Sequence, residues 1–448
     1  MSDRNQHREH ERSALQGSLK AVTKIEGKGE PKIGIDEFME IAERFGYPAD
    51  TLSKIREIVS NVEMGGGPFL ANYYSGLPES KVDKYQRVAR ETFGSKYAVG
   101  VSSGTGALHS AFTAVGVKPG TEVICPAIGF FATAAAVVVA GGTPVFCDVD
   151  ESLGIDPAKI EELITDKTVA VAPTHVMGSV CNMKRVMEVA RRNNIRVVED
   201  CAQAAGATFD GKFIGTYGDI GCFSISAYKI AGGGEGGLVL TDDERLWDRV
   251  NCLSEGGGLW RPERFAPSRY PGELFCGTNY RMSELEAAID AVQLRKLPNV
   301  VQRFRNVKRQ ITERLQTFRE ITPQLLNDPN GEVGYTLRFF PDTIERGKKI
   351  VDALQKQNIG AGMRGEGGRP DWHIYHWMFP ITENPGTARR DKKGDCPVAD
   401  DLFDRGISIG LNQWYTEHDC ENVADAINRA LGAFCTEDPN ALGWRRSS

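Results

Sequence analysis

The stretch FSISAYKIAGGGEGGLVL, residues 223–240, places one lysine, Lys229, between an apolar run and a run of glycines. Residues 223–226 alternate apolar and polar side chains as a strand does, and residues 238–240 begin a second strand. The glycines between them have no Cβ, so the chain can turn sharply there and pass close to another group. The pattern predicts a lysine held at the entrance of a bend between two strands.

Three interpretations of Lys229 follow from its surroundings. It is a solvated surface lysine beside a flexible hairpin, a phosphate-binding lysine, or an amine that forms a Schiff base with a carbonyl. The order GxxxxGK[ST] of a phosphate-binding loop is absent, because the glycines follow the lysine instead of preceding it. The neighbouring segments decide between the first and the third interpretation.

Upstream of this stretch, strand patterns alternate with helical patterns. YAVGVSS, EVICP, TPVFCDVD, VAVAPTHVMG and RVVEDC have the composition of strands, and helical periodicity occupies 157–164 and 183–193 among other segments. Such alternation predicts an α/β fold with a mainly parallel sheet and helices on both faces. Ligands of these sheets bind beyond the carboxyl ends of the strands.

Candidate cofactor-binding residues follow two of these strands. Gly104 and Thr105 open a helix, where free backbone N–H groups and a hydroxyl suit an anion, although an ordinary Ser or Thr N-cap is the more common origin of this motif by itself. Phe130, after the next strand, either stacks on a flat cofactor or packs in the core.

The strand RVVED ends in an acidic residue, Asp200, followed by Gln203. A carboxylate at a buried strand end requires a cationic partner, which is either a protonated ring nitrogen or a structural arginine. Ser224 and Lys229 lie at the end of a further strand and complete the group of candidate residues at strand ends. An anion site, an aromatic plane, a carboxylate for a ring cation and an amine for a carbonyl together match one cofactor, pyridoxal 5'-phosphate.

The composition indicates a globular protein without a nucleic-acid partner or membrane span. The 448 residues carry 54 basic and 60 acidic side chains, a net charge of −6, and no basic cluster. The ten cysteines form no CxxC pair and no zinc-spaced cluster, which predicts a reducing, cytoplasmic setting and no metal. Neither a long apolar window nor the apolar region of a signal peptide is visible.

Five motifs in register resemble the DegT/DnrJ/EryC1/StrS family of sugar and cyclitol aminotransferases. They are SSGTGAL, the segment Pro126 to Thr133, EDCAQAAGA, the FSxxxxK pattern followed by GEGG, and GTNYRMSELEAAI. The resemblance covers about residues 80–320. It implies fold type I of the pyridoxal-phosphate enzymes, with a seven-stranded, mainly parallel sheet and a smaller C-terminal α+β domain.

The resemblance also implies a role for each matching residue. Lys229 is expected to bind the cofactor aldehyde, Asp200 the pyridine nitrogen, and Gln203 to neighbour the ring hydroxyl, with Phe130 stacked on the ring. Gly104, Thr105 and Ser224 are expected to hold the phosphate. Asn279 is expected to reach the phosphate of a neighbouring subunit, since the family works as homodimers with shared active sites.

The expected reaction is transfer of an amino group from glutamate or glutamine to a nucleotide-linked keto sugar or a keto cyclitol, in cell-surface polysaccharide or secondary-metabolite biosynthesis. The alternative is a dehydratase or lyase of the same family, such as an aminohydroxybenzoate synthase or a deoxysugar dehydratase. A related dehydratase branch has histidine in place of the lysine, and Lys229 therefore favours amino transfer. A cofactor-binding regulator is a third class, disfavoured by the intact Lys229, Asp200 and Gln203.

Four parts are predicted along the chain. They are a flexible tail at 1–31, an N-terminal helical segment at 32–95, a large pyridoxal-phosphate-binding domain at 96–297, and a long connecting helix with a small C-terminal domain at 298–448. In the last part, the segment 370–380 contains His373 and His376 without a third ligand at metal spacing. Substrate hydroxyl recognition and interdomain packing both remain open for this segment.

Overall fold

The computed structural model of the protein falls into two compact units, Met1–Phe69 and Leu70–Ser448. The four-part division predicted from the sequence stays a prediction. The structure describes residues 2–16, 33–62, 69–71, 79–365 and 367–447.

The first unit is helical in its described residues. The predicted flexible tail at 1–31 contains a helix with exposed side chains, and its residues from 17 onward lie outside the described part of the chain. Two further helices appear where helical spacing predicted them. The helices of this unit are α1 (Ser2–Gln16), α2 (Ile35–Glu43) and α3 (Ala49–Ser60).

The second unit is built around a seven-stranded sheet, in the strand order β1-β9-β8-β5-β4-β2-β3, beside a two-stranded hairpin of β6 and β7. The strands are β1 (Tyr97–Val101), β2 (Glu122–Pro126), β3 (Thr143–Cys147), β4 (Thr168–Val171), β5 (Arg196–Asp200), β6 (Thr208–Phe209), β7 (Lys212–Phe213), β8 (Ile220–Ser224) and β9 (Gly237–Thr241).

Six of the seven strands run in one direction. β3, β2, β4, β5 and β8 pair in parallel, and β9 is antiparallel to both β8 and β1, so that β1 runs the same way as β8. The mainly parallel sheet predicted from the strand and helix alternation is therefore confirmed. Its consequence for function is that the carboxyl ends of β1, β2, β5 and β8 share one edge.

Helices cover both faces of the sheet because the strand residues alternate between two cores. Val197 packs with one core and Val198 with the other, and Phe223 and Cys222 do the same. The helices are α4 (Lys81–Phe93), α5 (Gly104–Ala114), α6 (Ala132–Val139), α7 (Pro157–Leu163), α8 (Met183–Arg192), α9 (Glu244–Ser254) and α10 (Glu284–Thr312).

The long helix α10 begins earlier than the sequence predicted. Periodicity predicted a helix from about residue 298, whereas Ser283 caps the helix by accepting from the Glu286 amide at 3.1 Å. Pro298 lies inside α10 and does not end it. Tertiary packing decides this, since Ala287, Leu294 and later residues of α10 are buried on either side of the proline.

The C-terminal part forms a separate antiparallel sheet, in the order β10-β11-β13-β12, with its own core. This confirms the predicted smaller α+β domain. Its elements are β10 (Ile321–Pro323), β11 (Thr336–Pro341), α11 (Ile344–Gln355), β12 (Ala361–Gly362), α12 (Phe379–Thr382), α13 (Pro397–Arg405), β13 (Ile407–Gly410) and α14 (Glu417–Gly432).

No helix in the described ranges combines the length and the apolar character needed to cross a membrane.

Candidate active site

Lys229 lies in the turn that follows β8, at the shared edge of the sheet. The turn is closed by its own backbone, because the Lys229 amide donates to Ser226 O at 2.9 Å and Gly232 N donates to Lys229 O at 3.0 Å. The side chain is half-buried and lines a cavity of about 670 Å³ together with Gln203 and His373. Burial lowers the pKa of Lys229, and the charge of Asp200 opposes that shift. Lys229 is therefore not a fully solvated side chain, and its role toward a cofactor stays a prediction.

Asp200 ends β5 and is 4% exposed. One carboxylate oxygen accepts from the Thr133 hydroxyl at 2.5 Å, and the other accepts from the Ala202 amide at 3.0 Å. No arginine, lysine or histidine among the residues that the structure describes forms an ion pair with it, so the structural-arginine alternative is wrong there. A buried carboxylate without a cation is the arrangement that a protonated ring nitrogen would satisfy.

The residues predicted to bind an anion lie where β1, β8 and β9 approach the start of α5. A Cβ on Gly104 would lie 2.6 Å from the Cβ of Ser224, so only glycine allows these two residues to pack together. Ser103 caps the helix by accepting from Gly106 N at 3.0 Å, which makes the N-cap interpretation correct for Ser103. The amides of Gly104 and Thr105 precede the first intrahelical hydrogen bond, from Ala107 N to Ser103 O, and suit an anion.

The aromatic side of the site comes from the segment after β2 and from the C-terminal part. Phe130 is 41% exposed, and its ring centroid lies 5.2 Å from that of His373. Burial is the largest cause that lowers the pKa of His373, followed by the charge of Lys229. The neutral imidazole donates through Nδ1 to Asp371 Oδ1 at 2.7 Å, which leaves Nε2 as an acceptor.

Gln203 and Asn279 occupy different positions relative to the cavity. Gln203 lines it, and its Oε1 accepts from Met177 N at 3.0 Å, which orients the amide group. Asn279 is exposed, and its Oδ1 accepts from Arg281 N at 3.2 Å. The adjacent Tyr280 ties this segment to the residue after β1, because its carbonyl accepts from Ser102 N at 2.8 Å, and to α5, because its hydroxyl lies 2.9 Å from His109 Nδ1. The role of Asn279 toward a second subunit stays a prediction.

His175 and Glu199 form a buried network beside the site. His175 Nε2 lies 3.3 Å from Glu199 Oε2, and His175 Nδ1 accepts from Cys181 N at 3.1 Å. With Cys201, they are the group in the described part whose donor atoms lie close enough to hold a metal. Glu199 also accepts from the amides of Gly215, Tyr217 and Gly218 at 2.7–2.8 Å, so its oxygens are used within the protein. The network is structural.

The chain matches a known protein family. The sequence profile of the DegT/DnrJ/EryC1/StrS aminotransferase family matches residues 76–428, most of the chain. The chain belongs to this family. It is a pyridoxal-phosphate-dependent aminotransferase of the fold type I class. The same comparisons do not favour the dehydratase alternative.

Similar proteins cover most of this aminotransferase. GDP-perosamine synthase of Escherichia coli O157:H7 is 38% identical over 355 residues, which are 76% of this chain and 89% of that protein. UDP-N-acetyl-3-dehydro-alpha-D-glucosamine 3-aminotransferase of Acidithiobacillus ferrooxidans is 33% identical over 346 residues, 75% of this chain and 85% of that protein. The structure of an aminotransferase from Psychrobacter cryohalolentis is 26% identical and superimposes with a TM-score of 0.69, covering 86% of this chain and 96% of that chain.

The histidine-rich segment 370–380 divides between the two roles that the sequence left open. His373 lines the Lys229 cavity, which is compatible with substrate recognition. His376 is largely buried, and its Nε2 lies 3.5 Å from Asp400 Oδ1, which is a packing role. The sequence pattern did not separate them, because only the turn at Tyr375–Trp377 directs one ring toward the cavity and the other away from it.

Sequence reasoning missed several residues that shape the site. Thr133 had a signal, since it ends the Pro126 to Thr133 motif. Tyr335, whose hydroxyl donates to Gln203 O at 3.1 Å, and Met177, whose amide orients the Gln203 side chain, had none. Met177 adopts a positive φ of 49° that no sequence pattern indicates.

Proposed function

We propose that this aminotransferase moves an amino group from glutamate or glutamine to a keto sugar linked to a nucleotide, or to a keto cyclitol, for cell-surface polysaccharide or secondary-metabolite biosynthesis. Two relatives support the acceptor class, since their names contain nucleotide-linked sugars bearing GDP or UDP. The putative inosose aminotransferase of Micromonospora echinospora, 29% identical, supports the cyclitol alternative and glutamine as donor.

The observation that carries the proposal is the pair of Lys229 and Asp200. Lys229 presents an amine whose pKa burial lowers, which increases the neutral, nucleophilic form. Asp200 offers a buried carboxylate that has no cationic partner in the described structure. When bound, pyridoxal phosphate supplies a ring that accepts the electrons of the bond broken at the substrate carbon.

The protein's own side chains have distinct tasks in this proposal. Lys229 would hold the cofactor covalently and, once the amino donor displaces it, would take the proton from the Cα of the donor as general base and return a proton as general acid. Asp200 keeps the ring nitrogen protonated, and the Thr133 hydroxyl holds the carboxylate in place at 2.5 Å. Gly104, Thr105 and Ser224 would hold the phosphate, Phe130 would stack on the ring, and Gln203 would lie near the ring hydroxyl.

The proposed assembly is a homodimer with shared active sites in the cytoplasm. Leu285, Ile289 and Val292 lie on one face of α10 and are each 37–43% exposed, so the described unit leaves an apolar stripe uncovered. A second copy would cover this stripe and bring Asn279 to the neighbouring phosphate. Sedimentation velocity of the full chain and of Ile289→Glu tests this, and a wild-type monomer at micromolar concentration refutes the shared site.

Absorbance and turnover test the chemistry. The purified protein loaded with pyridoxal phosphate is expected to show the visible band of a lysine-bound cofactor, which glutamate or glutamine converts to the pyridoxamine form. Lys229→Ala is expected to lose the covalent band and at least about a thousandfold in transfer rate. Lys212 is an exposed lysine that donates to Thr216 O, and Lys212→Ala is the matched control. This variant is expected to keep both the visible band and the transfer rate. A wild-type protein that takes up no cofactor refutes the proposal.

A further inference from the structure

An arginine of the small domain, Arg338, faces the large domain. Arg338 lies on β11 directly opposite Ser408 of β13, while its neighbours Leu337 and Phe339 pack into the core of the small domain. Because side chains alternate along a strand, Arg338 extends from the opposite face of the sheet. That face lies against Met177 of the large domain, whose Sδ accepts from Arg338 Nη2.

Arg338 is buried and has no carboxylate partner within the described structure. It is 6% exposed, its Nε donates to Ser408 Oγ at 2.9 Å, and no hydrogen bond of Nη1 occurs there. The comparably buried cation Lys308 has a carboxylate partner, Glu332, at 2.6 Å. Burial lowers the pKa of Arg338 to about 10, so the guanidinium stays charged at neutral pH. A buried charge without a counter-charge is costly unless a ligand supplies one.

The guanidinium lines a second cavity of about 330 Å³ that adjoins the Lys229 cavity. Met177 and Ser408 line both cavities. The other walls are mainly apolar, including Ile128 and Phe403. Arg364 also lines the second cavity, but Asp371 pairs with it and neutralises its charge. Within the described part of the chain, Arg338 therefore leaves one uncompensated positive charge in the cavity that adjoins the Lys229 cavity.

We propose that Arg338 binds a carboxylate carried by one of the two substrates, at the end remote from the reacting nitrogen. A guanidinium matches a carboxylate in both charge and planar geometry. A diphosphate carries more negative charge than this one cation can neutralise, and the apolar walls offer it few further donors. The inference rests on the proposed aminotransferase function and adds the chemical class that one substrate must contain.

The carboxylate has two sources, the amino donor and the keto acceptor. Glutamate carries a second carboxylate several bonds from its amino group, and an acidic sugar carries one far from its keto carbon. Single-turnover measurements of the two half-reactions separate the sources. If the donor supplies it, Arg338→Met raises the glutamate concentration needed for half-maximal conversion by about tenfold or more and leaves the acceptor half-reaction unchanged. If the acceptor supplies the carboxylate, Arg338→Met raises only the acceptor concentration needed for half-maximal conversion in the second half-reaction.

Direct binding provides a readout without turnover. Calorimetric titration of the cofactor-loaded protein with glutarate is expected to show binding that Arg338→Met weakens by about tenfold or more, whereas the neutral diamide glutaramide binds both proteins alike. Arg405→Met is the matched control, since Arg405 is mostly buried in the same domain but pairs with Asp401 at 2.8 Å. It is expected to bind glutarate within about twofold of the wild type.

The outcomes separate this inference from the proposed function. The visible band of the lysine-bound cofactor shows whether each variant is folded. If Arg338→Met loses this band, Arg338→Gln replaces it, because the glutamine amide can still donate to Ser408. Equal glutarate binding and equal half-reactions in wild type and variant overturn the carboxylate site while amino transfer stands. A wild-type protein without the band or the transfer refutes the proposed function instead.

Discussion

Two adjacent carboxylates at the end of β5, Glu199 and Asp200, have opposite surroundings. Glu199 accepts from three backbone amides and lies 3.3 Å from His175 Nε2, so the protein itself satisfies both of its oxygens. Asp200 has one hydroxyl and one amide donor, and no cation in the described structure pairs with it. Since neighbouring strand residues point to opposite faces, two consecutive carboxylates have different surroundings, and Asp200 is the one that we propose for the cofactor.

The largest expected effect is on chemistry, from Asp200→Asn. Removing the charge that stabilises a protonated ring nitrogen is expected to slow amino transfer by about a hundredfold to a thousandfold, while cofactor binding weakens less. Stopped-flow conversion to the pyridoxamine form by glutamate or glutamine measures the rate. A transfer rate within a few-fold of the wild type would contradict the assignment of Asp200 as the ring partner.

The second effect is on stability, from Glu199→Gln. The glutamine side chain places an N–H donor where the carboxylate accepts from backbone amides, and the cofactor-free protein is expected to lose about 2–4 kcal/mol in free energy of unfolding. Urea denaturation followed by circular dichroism measures the loss. Asp200→Asn serves as the control and is expected to stay within about 1 kcal/mol of the wild type. Equal destabilisation by the two variants would remove the distinction between the two carboxylates.

The smallest effect is on the titration of Lys229. Burial lowers its pKa and the charge of Asp200 opposes this, so Asp200→Asn is expected to lower the pKa of Lys229 further, because the ammonium form loses an attractive charge. The neutral amine then persists to lower pH. An NMR titration of ¹³C-methylated lysines in the cofactor-free protein measures the midpoint, with Lys229→Ala assigning the signal. Glu199→Gln should leave it in place, and a rise in Asp200→Asn would show the sign to be wrong.

Much of the site could be predicted because it depends on short motifs at strand ends. Asp200 and Ser224 end recognisable strands, and Gln203 and Lys229 follow within a few residues. Parallel strands bring their carboxyl ends to one edge of the sheet without further information. The predicted start of α10, near residue 298, was wrong by about fourteen residues, because the helix begins after the Ser283 cap and continues through Pro298. The sequence contained the signal for that cap, within the GTNYRMSELEAAI motif.

Contacts between distant segments had no such signal. Arg338, Met177 and His373 meet at the two cavities although they lie far apart in the chain, and each is unremarkable within its own segment. The small domain has its own core and docks on the large domain through residues that face away from that core. Periodicity predicts which residues of a strand share a face, but it does not indicate what that face will contact.

The amino-acid sequence by itself determined the chemistry of this protein, because a lysine, a carboxylate and a glycine-opened helix at strand ends require only local patterns and parallel pairing to converge. Only the tertiary structure decided that three backbone amides surround Glu199, and that neither Asp200 nor the buried Arg338 has an oppositely charged partner among the described residues. The physical reason is that satisfaction of a buried charge depends on every group that surrounds it in space, and most of those groups are distant in the chain.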